Sequence, residues 1–159
     1  MKARLSLLIV LLFGLAACSD NAVIDQNIAI KNNTWLYEQK PLFSAHITNK
    51  NIPYHLYLNL RNSIDYPFSN IFVLIHQQNP SKAKITYRVE IKLANKEGLW
   101  KGKSAGSIFS HQTRFLKDYH FPDTGKYIFQ LEQNMRINNL SGINDVGLRI
   151  EPAILNTSK

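Results

Sequence analysis

The chain has 159 residues, 19 basic and 11 acidic side chains, a formal charge of +8, and 45% hydrophobic and 11% aromatic residues. That length accommodates one domain of ordinary size and not two, and that apolar content excludes a disordered chain. A single cysteine excludes an intrachain disulfide framework and a structural zinc site built on cysteines.

The N-terminus reads as an address. Lys2 and Arg4 precede the apolar run Leu5 to Phe13, which is too short for a membrane-spanning helix of roughly 20 residues and fits a secretory signal. The run ends in Leu15-Ala16-Ala17-Cys18, which matches the bacterial lipobox. Small residues at 16 and 17 let a peptidase reach the backbone, and the Cys18 thiol becomes the point of lipid attachment. Lipidation consumes that thiol, and buried acyl chains contribute on the order of 0.8 kcal/mol per CH₂ to membrane anchoring. Removal of Lys2 and Arg4 lowers the net charge from +8 to +6. Ser19 follows Cys18 and Asp20 falls one position too late for the inner-membrane retention pattern, so the expected place is the outer membrane. With no acidic run after Cys18, the periplasmic face is expected. The expected division is a signal peptide over 1–17, lipidated cysteine and tether over 18–33, a domain over 34–151 and a flexible tail over 152–159. Ser19 to Lys31 is polar and would reach about 45 Å at most if fully extended.

From Trp35 onward the dominant period is two. Phe43, Ala45 and Ile47 alternate with polar residues, as do Tyr54, Leu56, Leu58 and Leu60. Ile71 to Ile75 is uninterrupted and rich in β-branching, which predicts a central strand. Ile85, Tyr87, Val89, Ile91 and Leu93 alternate with Thr86, Arg88, Glu90 and Lys92, a half-buried strand with one wet face. Tyr127, Phe129, Leu131 and Met135, then Val146, Leu148 and Ile150, continue the pattern, and Pro152 stops the last strand. Turn signals separate the runs at Asn51-Ile52-Pro53, Asp65-Tyr66-Pro67, Asn79-Pro80, Asn95 to Gly98 and Phe121 to Gly125. About seven or eight such strands predict an all-β fold, a single two-sheet antiparallel β-sandwich, immunoglobulin-like or jelly-roll-like, behind the lipid-anchored tether. Asp123 to Phe129 has the form of a tyrosine corner, with Tyr127 bonding back across its loop and Phe129 pointing inward.

The chemistry-bearing residues give no catalytic constellation. His46, His55, His76, His111 and His120 show no short ligand spacing, so no metal is expected. No nucleophile elbow or Gly-rich phosphate loop is present, and no cofactor is expected. Lys82, Lys84, Lys96, Lys101 and Lys103 gather around one hairpin, either as a solvated face or as a surface for lipid headgroups, anionic cell-wall polymers or an acidic protein. Nucleic acid is not the expected partner of an exported lipoprotein. Trp35, Tyr37, Trp100 and Phe109 form either core packing or a sugar-stacking platform.

Three polar stretches are richer than a plain sandwich needs: Arg61 to Asn70, Gly98 to Lys103, and Gln133 to Arg136 followed by Leu140 to Glu151. Together with the lipobox and Trp35, and in order from Cys18 to Glu151, they resemble the GldH family of gliding-motility lipoproteins of the Bacteroidetes. Arg88 and Lys92 depart from the more acidic stretch expected there. The resemblance implies a cell-envelope lipoprotein needed for gliding and associated with type IX secretion, with no enzyme activity to carry over. Cys18 alone transfers with a defined role. The polar stretches admit two readings. Arg61, Asp65, Arg136, Asp145 and Arg149 build a surface for a motility or secretion protein, or Arg61 and Arg149 pair with Asp65, Asp145 or Glu151, and Gly142 and Gly147 supply unusual backbone angles or close packing. A carbohydrate-binding module on peptidoglycan or surface glycan, using Trp35 or Trp100, is the alternative function.

Overall fold

The computed structural model describes residues 21–153. In chain order its strands are β1 (Ile24–Ala29), β2 (Thr34–Trp35), β3 (Leu42–Ile47), β4 (Tyr54–Ser63), β5 (Asn70–Gln78), β6 (Lys84–Lys92), β7 (Lys103–Ala105), β8 (Ile108–Tyr119), β9 (Gly125–Gln133), β10 (Leu140–Ser141) and β11 (Ile143–Pro152). A five-stranded sheet runs β1-β11-β4-β8-β7, a four-stranded sheet runs β3-β9-β5-β6, and β2 pairs with β10. Every pairing is antiparallel. The described residues contain no helix long and apolar enough to cross a membrane.

Alternation builds the core between the two sheets. Leu56, Leu58 and Leu60 of β4 lie opposite Ile150, Leu148 and Val146 of β11, and all six are fully buried. The facing sheet contributes Phe43, Ala45 and Ile47, Ile71, Val73 and Ile75, and Tyr127, Phe129 and Leu131. Each large side chain so buried contributes about 1.5–3 kcal/mol from water exclusion. The all-β sandwich read from the sequence is the fold observed. Strand β5 lies between β9 and β6, the central place its β-branched run predicts. The tyrosine corner forms: the Tyr127 hydroxyl donates to the Asp123 carbonyl at 2.9 Å and accepts from the Asp123 N–H at 3.2 Å.

Three expectations are corrected. The sequence predicts a tether through residue 33, but Ile24–Ala29 pairs along β11, with Ile24 opposite Ile150 and Ile28 opposite Val146. Two isoleucines four apart, with Gln26 between them, half-cover an edge and leave no alternation to read. Strand β8, twelve residues long, went unread because two bulges opposite Tyr54 to Tyr57 break its period and because its inward positions include His111 and Thr113. The lysine cluster divides, since Lys82 and Lys84 lie at the start of β6 and Lys96, Lys101 and Lys103 beyond its end. Nine extended residues separate the two groups by roughly 27 Å.

Gly142, just before β11, has φ +83°, and a Cβ there would stand 2.8 Å from the backbone N and Cα of Tyr66. Both the dihedral and the contact oppose any side chain. Gly142→Ala is expected to lower stability by roughly 2–3 kcal/mol. An unchanged urea midpoint for the variant would refute this account of the turn.

Candidate functional site

The outer face of the five-stranded sheet collects polar side chains from β1, β11, β4 and β8. A bulge makes this possible. Ile143 pairs with Asn62, but Asp145 pairs with Arg61, so Asn144 is the extra residue. Without it Ile143 and Asp145 would share a face. With it Ile143 enters the core and Asp145 turns outward beside Arg61. Arg61 donates from Nε and Nη2 to Asp145 Oδ2, both at 2.5 Å. The carboxylate side chain is only 4% exposed while the guanidinium is 52% exposed. Hydrogen bonding to the Asp145 carboxylate, then its charge, pushes the Arg61 pKa further up, so the pair keeps its charges. Asp145 Oδ1 is buried without a hydrogen-bond partner among the described residues.

Two pleat repeats further along β11, Arg149 bridges two carboxylates, Asp25 of β1 at 2.5 Å and Glu151 at 2.7 Å. Tyr57 donates to Glu151 at 2.9 Å, and burial first, then Glu151, raises its phenol pKa. Gln112 donates to Asn59 at 3.0 Å and Asn59 to Asp25 at 3.2 Å, which joins four strands in one network. Gly147 is required here, because a Cβ would strike the Asn27 side chain and the Gln26 carbonyl.

The structure thus brings Arg61, Asp145 and Arg149 to one face and ties both arginines to carboxylates. Asp65 lies apart, exposed in the turn after β4. Arg136 lies on the opposite side of the sandwich, in the connection after β9. There Phe68, Phe72, Met135 and Ile137 line a hollow of about 360 Å³ with Arg88 and Arg136 at its rim. Arg88 stands 3.8 Å from the centre of the Phe72 ring and donates to Asn134 at 3.0 Å. Sequence periodicity could not find this hollow, since its residues come from three separated segments. Cys18 lies outside the described residues.

The aromatic platform does not assemble. Trp35 is fully buried and donates its indole N–H to the Gln39 carbonyl at 2.8 Å. Trp100 instead stacks on Phe109, with centroids 5.4 Å apart. Among the described residues no group of three or more His, Cys, Asp or Glu side chains is placed to hold a metal. His76 bonds Thr86 and Glu132, and Lys40 completes that cluster at 2.8 Å from Glu132.

A two-sheet antiparallel sandwich behind a lipobox defines the class, a β-sandwich lipoprotein. The chain belongs to the GldH lipoprotein family, whose model matches residues 22–150. It is 29% identical over 144 residues to the gliding motility lipoprotein GldH of Flavobacterium johnsoniae, covering 86% of this chain and 89% of that one. It is 28% identical over 143 residues to the gliding motility lipoprotein GldH homolog of Christiangramia forsetii, covering 86% and 87%. A solved arabinose-bound α-L-arabinofuranosidase is 7% identical with a TM-score of 0.38, over 80% of this chain and 19% of that chain, a likeness too low to carry an argument.

Two outcomes follow from these side chains. Arg61→Ala strands a buried carboxylate and is expected to cost about 2–3 kcal/mol, below the roughly 3–5 of a fully buried pair because the guanidinium is half exposed. The double variant Arg61→Met, Asp145→Leu should recover most of that loss, and a double variant as unstable as the single one would contradict it. His111, whose Nε2 is buried without a partner, has its pKa lowered from 6.5 by burial. Between the depressed folded value and 6.5 the unfolded chain binds more protons, so stability falls as pH drops through 6.5. The urea midpoint should fall between about pH 7.5 and pH 5.5, and His111→Gln should flatten the slope. Glu132, held down chiefly by its hydrogen bond from Lys40, adds its own loss only below its ordinary 4.5.

Proposed function

We propose that this chain is a non-catalytic component of gliding motility that works by binding another protein. Cys18 carries the lipid, the anchor lies in the outer membrane with the domain facing the periplasm, and the partner belongs to the motility or type IX secretion machinery. Family membership and the gliding-motility role named for the two relatives support the motility role. The observation that favours protein binding is the hollow on the outer face of the four-stranded sheet. It joins exposed apolar surface, Ile137 being 40% exposed, to two arginines and no carboxylate among its lining. Apolar and aromatic anchors beside arginine are what binding hot spots are made of. The charge asks for an acidic segment carrying one aliphatic or aromatic side chain. Burial of Trp35 removes one of the two tryptophans on which the glycan-stacking alternative relies and leaves it the half-buried Trp100, stacked on Phe109.

The test is to tag the native protein at its C-terminus, crosslink intact cells and identify what co-purifies in mild detergent. Wild type is expected to recover motility or secretion proteins. Arg136→Glu combined with Ile137→Ser should lose them, and gliding with them, while the protein keeps its level and its circular dichroism. Unchanged recovery by that variant would remove the hollow from the proposal, and recovery of cell-wall fragments alone would overturn protein binding.

A further inference from the structure

The opposite outer face carries a second surface that the protein-binding reading does not use. A groove of about 640 Å³ opens on the five-stranded sheet and reaches round its β8 side. Among the described residues four cations line it, Arg61, Lys92, Lys101 and Lys103, and no carboxylate does. Among the described residues Lys92, Lys101 and Lys103 make no ion pair. The nearest acids, Asp145 and Asp25, are already held by Arg61 and Arg149. The groove therefore has an unbalanced positive potential focused in a concavity, the arrangement that concentrates anions.

Its remaining wall is made of amides. Asn27, Gly147, Asn59 and Gln112 are successive cross-strand partners on β1, β11, β4 and β8, so three carboxamides stand in one row across the sheet. Asn59 is buried, accepting from Gln112 and donating to Asp25, so Asn27 and Gln112 are the exposed carboxamides at the two ends of the row, each with donors and an acceptor. Ser110 stands on the same face opposite Arg61, while His111, whose buried Nε2 lacks a partner among the described residues, points inward beneath it. Gly102 lies against that ring, where a Cβ would stand 2.7 Å from Nε2. Leu60 and Ile91, the large apolar residues among the described lining, are buried core residues at 0% and 2% exposure. A protein partner needs an apolar or aromatic centre to its interface, and none is present here. Paired donors and acceptors beside lysines suit a ligand that carries hydroxyls and carboxylates on one backbone.

We infer that this groove binds a short carboxylated saccharide, with Lys92, Lys101 and Lys103 meeting the carboxylates and Asn27 and Gln112, held at the two ends of the carboxamide row, meeting the ring hydroxyls. The experiment is calorimetric titration of the full lipoprotein in a polyoxyethylene detergent, which brings no sugar, at near-physiological salt. The probes are tetragalacturonate, neutral maltotetraose and tetraglutamate. Tetragalacturonate alone should bind. Lys101→Glu with Lys103→Glu should weaken it at least tenfold, and Gln112→Ala, which leaves the charge unchanged, severalfold. Lys84→Glu, at the other end of β6, should leave the affinity unchanged. No binding of tetragalacturonate overturns the inference. Equal binding of tetraglutamate, or equal weakening by Lys84→Glu, overturns it as well, because the groove would then be an unspecific cationic surface or an acidic-peptide site.

Discussion

Strand β11 is hydrogen-bonded on both sides, to β1 and to β4, and its register decides which residues of three strands are inside and which are outside. In the observed register Val146, Leu148 and Ile150 enter the core, and Asp145, Gly147 and Arg149 face out. A slip of one residue would exchange the two sets and put a carboxylate and a guanidinium among leucines. That is a penalty of several kcal/mol for each unpaired ion. Gly142 before the strand and the bulge at Asn144 within it set this register, since Gly142 alone fits against Tyr66 and the bulge alone brings Asp145 to Arg61. The same strand draws the N-terminal segment into the sheet as β1.

The two outer faces follow different physics. On the five-stranded sheet the strand-to-strand neighbours are ions and amides, and each arginine of β4 and β11 has a carboxylate within hydrogen-bonding distance. Such a network adds modest stability at a wet surface, but it fixes side-chain positions that long charged residues would otherwise lose to rotamer freedom. Cross-strand carboxamides held in a row are therefore presented in a defined geometry. On the four-stranded sheet the outward residues include Phe72, Leu74 and Ile128, and a charge cluster appears only at Lys40, Glu132 and His76. There the arginines lie over or beside apolar groups, as Arg88 does over Phe72, where a cation gains from the ring face without a carboxylate partner.

How much of this is legible in the sequence depends on whether a signal is local. Strands β3, β4, β5, β9 and β11 announce themselves because a buried inner face imposes period two, and the tyrosine corner because its partners are four residues apart. Strand β8 is silent because its bulges double up Phe115 and Leu116 and its core-facing positions are partly polar. The charged residues behave likewise. Arg61 and Asp145 can be named as candidates from composition, but they are 84 residues apart and only the bulged register shows that they neutralise each other. Arg136 reads with them as part of the polar, glycine-containing stretches, yet it belongs to the other face. The hollow around it, assembled from Phe68, Phe72 and Met135 to Ile137, has no period at all.

The position of β1 also changes what an anchor at Cys18 would do. With the sheet beginning at Ile24, only five residues separate it from Cys18, so the first strand starts within about 20 Å of the lipid attachment point. A tether reaching to residue 33 would let the domain roam; lipidation at Cys18 would hold the N-terminal end of β1 near the bilayer. The end of β11, the start of β4 and the end of β8 lie at that same end, by their pairing with Ile24 and with each other. The opposite end carries the turn from β4 to β5 and the β7–β8 hairpin. Lys82 and Lys84 lie toward the anchor, where anionic headgroups would attract them. Lys92, Lys101 and Lys103, and with them the groove, lie toward the far end, as does the hollow, since Phe72 is near the start of β5 and Met135 just past the end of β9. A short anchor and distal surfaces are mutually consistent: the strand order that pins one end of the sandwich to the membrane turns both candidate binding surfaces away from it.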